Sequence, residues 1–142
     1  MIHLQLVTLR GIKLEADVAE VLLPTLDGQI GVLTDHMPLI TVATDGIISV
    51  RHNPKDSDTQ MDNYAAFGGV IEINNNVLRV LVDEADNGAE INEAEAQKAY
   101  DRAKQMKAEA KDHSSLESAQ KLIDRQFVRL KVAELHRRRR SR

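Results

Sequence analysis

Gly68-Gly69-Val70-Ile71-Glu72-Ile73-Asn74-Asn75-Asn76-Val77-Leu78-Arg79-Val80-Leu81-Val82 reads as two short strands and the turn between them. Residues 70–73 and 77–82 are rich in β-branched side chains, which suit a pleated, half-buried surface. The three asparagines tolerate positive φ, so the spacing predicts a tight hairpin. Four more runs upstream have the same character. In residues 2–6, Ile2, Leu4 and Leu6 alternate with His3 and Gln5; residues 19–23 stop at Pro24; residues 38–43 and 47–51 follow, the last opened by Gly46. Turn residues recur roughly every 8–12 positions, which predicts an all-β sandwich or barrel. Residues 52–62 carry one apolar side chain, Met61, and read as a solvated loop. Residues 28–38 read as a connecting loop. Its Asp35, His36, Met37 and Pro38 fit either a protein contact at a sandwich tip or a plain connection, and the residues leave both open.

The period changes after residue 88. Asn92 with Glu95, and Ser114 with Glu117, each form a capping-box pattern. Ala96, Ala99, Ala103, Met106 and Ala110 recur at helical spacing, as do Leu116, Ala119, Ile123, Phe127 and Leu130. Two amphipathic helices with a turn near Asp112-His113 are expected. The fold class is therefore α+β: a β-sandwich over 1–88 and a helical hairpin over 89–142. The first helical stripe is almost all alanine. At about 25 cal/mol per Å² it gains little by packing on its partner, so the hairpin is marginal alone. It either stays docked on the sandwich or detaches for another partner, and the pattern fits both.

The 142 residues suit one domain with an appendage. The absence of cysteine excludes disulfides and Cys-based zinc sites and suits a reducing compartment. No signal peptide is expected, and the apolar runs fall far short of the about 20 residues a membrane helix needs. Aromatic residues make up 3%, with no Trp, which argues against stacking sites for sugar or RNA. The net charge of −3 hides a split: residues 1–88 hold 5 Lys/Arg against 13 Asp/Glu, and residues 89–142 hold 14 against 9. There is no nucleophile elbow, phosphate-binding glycine loop or paired carboxylate in an evident cleft. The five histidines are scattered. No catalytic residue, metal ligand or cofactor is expected, and the chain does not read as an enzyme acting alone. The tail His136-Arg137-Arg138-Arg139-Arg140-Ser141-Arg142 has three readings: a nucleic-acid arm, a ligand for an acidic protein groove, or a helix end whose cations suit the helix dipole. The acidic remainder of the chain and the lack of interleaved aromatics favour a protein partner over nucleic acid.

Taken together, these segments resemble the ε subunit family of bacterial F-type ATP synthase over essentially the whole chain. The resemblance rests on Gly28-Gln29-Ile30-Gly31-Val32-Leu33-Thr34-Asp35-His36-Met37-Pro38-Leu39-Ile40-Thr41, on Asp45-Gly46-Ile47-Ile48, on Phe67-Gly68-Gly69-Val70-Ile71-Glu72-Ile73, on Val80-Leu81-Val82-Asp83-Glu84-Ala85 and on Arg129-Leu130-Lys131-Val132-Ala133-Glu134-Leu135. It implies a ten-stranded sandwich that binds the γ subunit and sits on the c-ring in the central stalk. It also implies a helical hairpin that is compact against the sandwich or extended along γ toward the α/β hexamer, where it inhibits ATP hydrolysis. The subunit would be non-catalytic and peripheral, at the cytoplasmic face of the bacterial cell membrane, reaching the membrane through the Fo sector only.

By position, the resemblance implies a c-ring contact at Gln29 and His36 and a γ contact at Thr41. It assigns inhibitory roles to Arg125, Arg129, Arg137, Arg138, Arg139 and Arg140. Two departures stand out: Gln29 replaces a possible carboxylate, and Thr34-Asp35 replaces Pro-Gly. Some members bind ATP through an Ile/Leu-Asp-x-x-Arg-Ala segment, which here is Ile91-Asn92-Glu93-Ala94-Glu95-Ala96. Glu95 puts a carboxylate where a cation would meet phosphate. Ile91, Ala96 and Arg102 remain, with Arg125 and Arg129 as further arginines, and weak or no ATP binding is expected. The alternative is a β-sandwich binding module whose basic arm holds nucleic acid. Salt-sensitive retention on DNA, against co-purification with γ and c, discriminates the two.

Overall fold

The computed structural model describes residues 1–140, with Arg140 described only by its place in the last helical turn. Eight strands come first: β1 (Ile2–Thr8), β2 (Gly11–Val18), β3 (Glu20–Thr25), β4 (Gly28–Leu33), β5 (Leu39–Ala43), β6 (Gly46–Arg51), β7 (Asp62–Asn74) and β8 (Val77–Asn87). Two helices follow, α1 (Glu93–Glu109) and α2 (His113–Arg140).

Two strands do the work of four. The first half of β7 pairs with β6, through Val50↔Asp62 to Gly46↔Ala66, and its second half pairs with β5, through Ala43↔Gly69 to Leu39↔Ile73. The first half of β8 lies parallel to β1, from His3↔Val77 to Val7↔Leu81; its second half has only β7 beside it. One layer therefore runs β2-β1-β8-β7-β5 and the other β8-β7-β6-β3-β4. Eight strands thus supply ten strand segments, which reconciles the observed number with the expected ten.

The bend lies at Gly68-Gly69, with φ +63° and +147°. A Cβ on Gly69 would lie 2.0 Å from the Leu81 carbonyl oxygen, so only glycine lets the β7 backbone pass there. The core between the layers is formed by Ile2, Leu4, Leu6, Val18, Val21, Leu23, Val32, Ile48, Val50, Ile71, Ile73, Leu78 and Val80 with their neighbours, and none of it comes from the helices.

The hairpin turn matches its reading: Asn74 faces Val77, while Asn75 and Asn76 take φ +51° and +60°. Several expectations are corrected. Residues 28–38 are not one loop, because Gly28–Leu33 forms β4, zipped to β3 with Val32 buried opposite Val21. β2 is a further strand, with Ile12, Leu14, Ala16 and Val18 alternating with Lys13, Glu15 and Asp17. The first half of β7 was hidden because Tyr64, Ala65, Ala66 and Phe67 are all buried, on two faces, and so do not alternate. The loop over residues 52–62 is not wholly solvated: it holds a 3-10 turn (Asp58–Gln60), buries Met61 and touches α2. α2 is capped by Asp112, whose carboxylate accepts the Ser115 N–H at 2.6 Å, and not by Ser114. Asn92 does cap α1, accepting the Glu95 N–H at 3.1 Å.

Replacing Gly69 with Ala is expected to cost about 3 kcal/mol or more, from strain at positive φ plus overlap with β8. Urea unfolding followed by circular dichroism measures it; an unchanged midpoint would contradict the bend.

Candidate functional site

α2 lies between α1 and the sandwich and rests on β6, β7 and the short turns beside them. Its inner face carries Val128 and Val132 onto Ala65 and Phe67, with Ile47 and Ile91 at the margin. Burying a Val- or Phe-sized side chain contributes about 1.5–3 kcal/mol. Arg125 and Arg129, one turn apart on this face, both cover the Phe67 ring, their guanidinium carbons 5.1 and 4.8 Å from its centroid. Arg129 then donates to Glu84 Oε2 at 2.7 Å and Asp86 Oδ2 at 3.3 Å. Arg125 Nε lies 3.9 Å from Asp45 Oδ2, and Asp45 is itself held by the Gly68 N–H at 2.8 Å.

Further along, Arg137 donates to Glu93 at 2.6 Å, Arg138 to Glu134 at 2.6 Å and Arg139 to Asp62 at 3.2 Å. Asp62 is a hub that also accepts from Asn87 and Tyr64. Burial first, and then the neighbouring Asp62 charge, push the Tyr64 phenol well above its ordinary value. Exposed single ion pairs contribute about 0–1 kcal/mol each. Arg129, with its side chain 22% exposed and held by two carboxylates and a ring, is the strongest of the set. α2 also passes close to Gly88, where a Cβ would lie 2.4 Å from His136 Cβ. The Arg140 side chain and Ser141-Arg142 lie outside the described residues.

The residues assigned to ATP have other neighbours. Ile91 packs at the margin of the dock, Ala96 is buried, and Arg102 is exposed on α1 without a charge partner among the described residues.

The opposite layer shows a second surface. Ile12, Val7, Leu81, Val70 and Val42 pair directly across β2, β1, β8, β7 and β5, forming one apolar row on the outer face. Four of the five are 41–63% exposed. Contiguous apolar surface of this kind marks an interaction site. Ile40 continues it along β5, whereas Thr41 is half-buried on the inward side, opposite Ile71. Beside the row, His3 bonds Glu15 and Asp17, each at 2.8 Å, and these bonds (Glu15 first) raise its pKa above 6.5.

Gln29 and His36 are not brought together. Gln29 sits in β4 near the β3–β4 turn, and His36 lies beyond the other end of that strand. Asp35 takes φ +59°, the conformation a glycine would supply, and its N–H donates to Asn76 Oδ1 at 2.9 Å. The sequence analysis gives Phe67, Asp45, Asp62, Glu84, Asp86 and Gly88 no role in holding α2; only the charge split between the halves signals the acidic partners.

Residues 1–88 match the family model described as ATP synthase, Delta/Epsilon chain, beta-sandwich domain. The chain is 32% identical over 135 residues to the ATP synthase epsilon chain of Chloroflexus aggregans, covering 95% of this chain and 94% of that one. The chain belongs to the ATP synthase epsilon-chain family. The chloroplastic epsilon chain of Euglena gracilis is 43% identical over 90 residues, 63% of this chain and 64% of its own length. In fold, the chain is similar to one in the mitochondrial ATP synthase of Euglena gracilis (OSCP/F1/c-ring), with TM-score 0.79, 23% identity, and coverage of 94% and 81%. An epsilon chain is a non-catalytic stalk subunit of the complex.

Two outcomes follow. Gly88→Ala is expected to lift the last turns of α2, lowering hydrogen-exchange protection of residues 132–139 about tenfold while strand amides stay unchanged. For His3, the raised folded pKa means the stabilising contacts are complete below the unfolded value of 6.5 and are lost as pH rises through the folded value. Protection of β2 amides is therefore expected to fall as pH rises above 6.5 and through the folded value, and His3→Gln to remove that slope.

Proposed function

We infer that this family member is the central-stalk rotor subunit of a bacterial ATP synthase. It couples proton-driven rotation of the c-ring to ATP synthesis and restrains ATP hydrolysis through α2. The observation that carries this reading is a basic helix held on the acidic sandwich largely by ion pairs, together with a bare apolar row on the opposite layer.

The row, with Thr41 in the strand at its edge, is the proposed seat of γ. Gln29 and His36 are the proposed c-ring contacts; because they flank β4, a ring surface meets both only by lying along that strand. The basic residues Arg125, Arg129 and 137–140 are the proposed inhibitory set, acting on acidic surfaces of the α/β hexamer once released. The two structural units, 1–88 and 89–142, are proposed to divide these tasks as anchor and brake. ATP is not a required ligand in this reading, since Arg125 and Arg129 already face carboxylates. The same pairing argues against a nucleic-acid arm. No described helix is long and apolar enough to cross a membrane, and the proposed attachment is peripheral, through the ring.

The test is ATP hydrolysis by the cognate α/β hexamer with γ, given the full chain, a chain ending at Gly88, or Val70→Glu. The main core lies wholly in the strands, so the shortened chain retains it. The full chain is expected to slow hydrolysis; the shortened one should bind γ without slowing it. Val70→Glu is expected to weaken γ binding at least about tenfold by burying an unpaired charge. Failure of the full chain to bind γ would overturn the assignment.

A further inference from the structure

We propose that the Arg125–Phe67–Arg129 clamp is an ionic-strength-sensitive latch that sets how much of the chain keeps α2 docked. The proposal concerns regulation of the reading above and rests on it only for its consequence; the latch itself is a property of the isolated chain. Three observations carry it. Arg125 and Arg129 are four residues apart, so one helical face delivers both guanidinium groups to the same ring. Their carboxylates come from three places on the sandwich: Asp45 before β6, and Glu84 and Asp86 on β8. The first 88 residues are strongly acidic and the rest basic, so the whole sandwich field favours the docked helix.

The apolar part of the dock is small. Val128 and Val132 are the apolar α2 residues in this cluster, and Phe67 is the largest side chain beneath, with Ile47 and Ile91 at the margin. The ring is roofed by cations, so releasing α2 exposes the ring and separates the charges in one step. Beyond Val132, the arginines of the described ion pairs are more exposed than Arg129. Arg137 pairs with Glu93 of α1, Arg138 bonds Glu134 of α2, and Arg139 reaches across to Asp62. The clamp, with two cations on one buried ring and three carboxylates around them, sets the response to salt.

Because the chain has no cysteine, a label pair can be placed without background. Lys55→Cys and Ser118→Cys are both exposed, one on the sandwich and one on the distal part of α2. Spin-label distances in the full chain, between about 0.1 M and about 1 M potassium chloride, span a fall in Debye length from about 10 to about 3 Å. Chloride is the salt to use, since sulfate strengthens apolar burial. The ratio of undocked to docked chains is expected to rise about tenfold over that range. Arg125→Gln with Arg129→Gln should raise the ratio at low salt and flatten its salt response. Arg137→Gln with Arg139→Gln should leave the response in place.

Strand amide protection checks that each variant keeps its sandwich. A docked population and salt response unchanged in the Arg125/Arg129 variant would overturn the latch, as would a response abolished by the Arg137/Arg139 variant. Neither outcome depends on ATP hydrolysis, so failure of the inhibitory reading and failure of the latch are separately visible.

Discussion

At Gly69 the backbone of β7 passes so close to the Leu81 carbonyl oxygen that a side chain has no room, and much of the architecture follows from that passage. The positive φ values at Gly68 and Gly69 swing the strand from the β6 side of the fold to the β5 side. β8 follows its partner, so the two layers share two strands and one continuous core. The same bend positions the dock. Phe67 precedes it by one residue and faces outward from the second layer, and the Gly68 N–H orients Asp45, the carboxylate nearest Arg125.

Phe67 and Ala65 turn an outer strand face into a small second core that is complete only when α2 covers it. The helix lays little apolar area on the sandwich, chiefly Val128 and Val132. Charge makes up the difference. An acidic β8 edge, bearing Glu84 and Asp86, would be a poor surface to bury without cations; with Arg129 across it, the same carboxylates become the contact. A dock of this composition is held more by paired charge than by buried apolar area.

The apolar row and the dock lie on opposite layers. A protein seated on Ile12, Val7, Leu81, Val70 and Val42 need not displace α2, and release of α2 need not disturb that seat. In the proposed function, anchoring and regulation are therefore separate events on one small sandwich, each confined to its own sheet face.

Much of this was legible in the residues. The hairpin at Asn75-Asn76, the change of period near residue 88 and the helix cap at Asn92 follow from local chemistry: positive-φ tolerance, spacing and side-chain capping. β4 was hidden by its glycines, and the first half of β7 by burial on both faces, because alternation disappears when neither face meets water. The sequence by itself determined the two-part architecture and the opposed charges of its parts, since both are sums over residues already in order along the chain. Only the tertiary structure decided that Arg125 and Arg129 meet Phe67, that Gln29 and His36 stand apart, and that Ile12 to Val42 form one row. Those relations join residues distant in the chain through strand register and helix phase, and no local pattern encodes them.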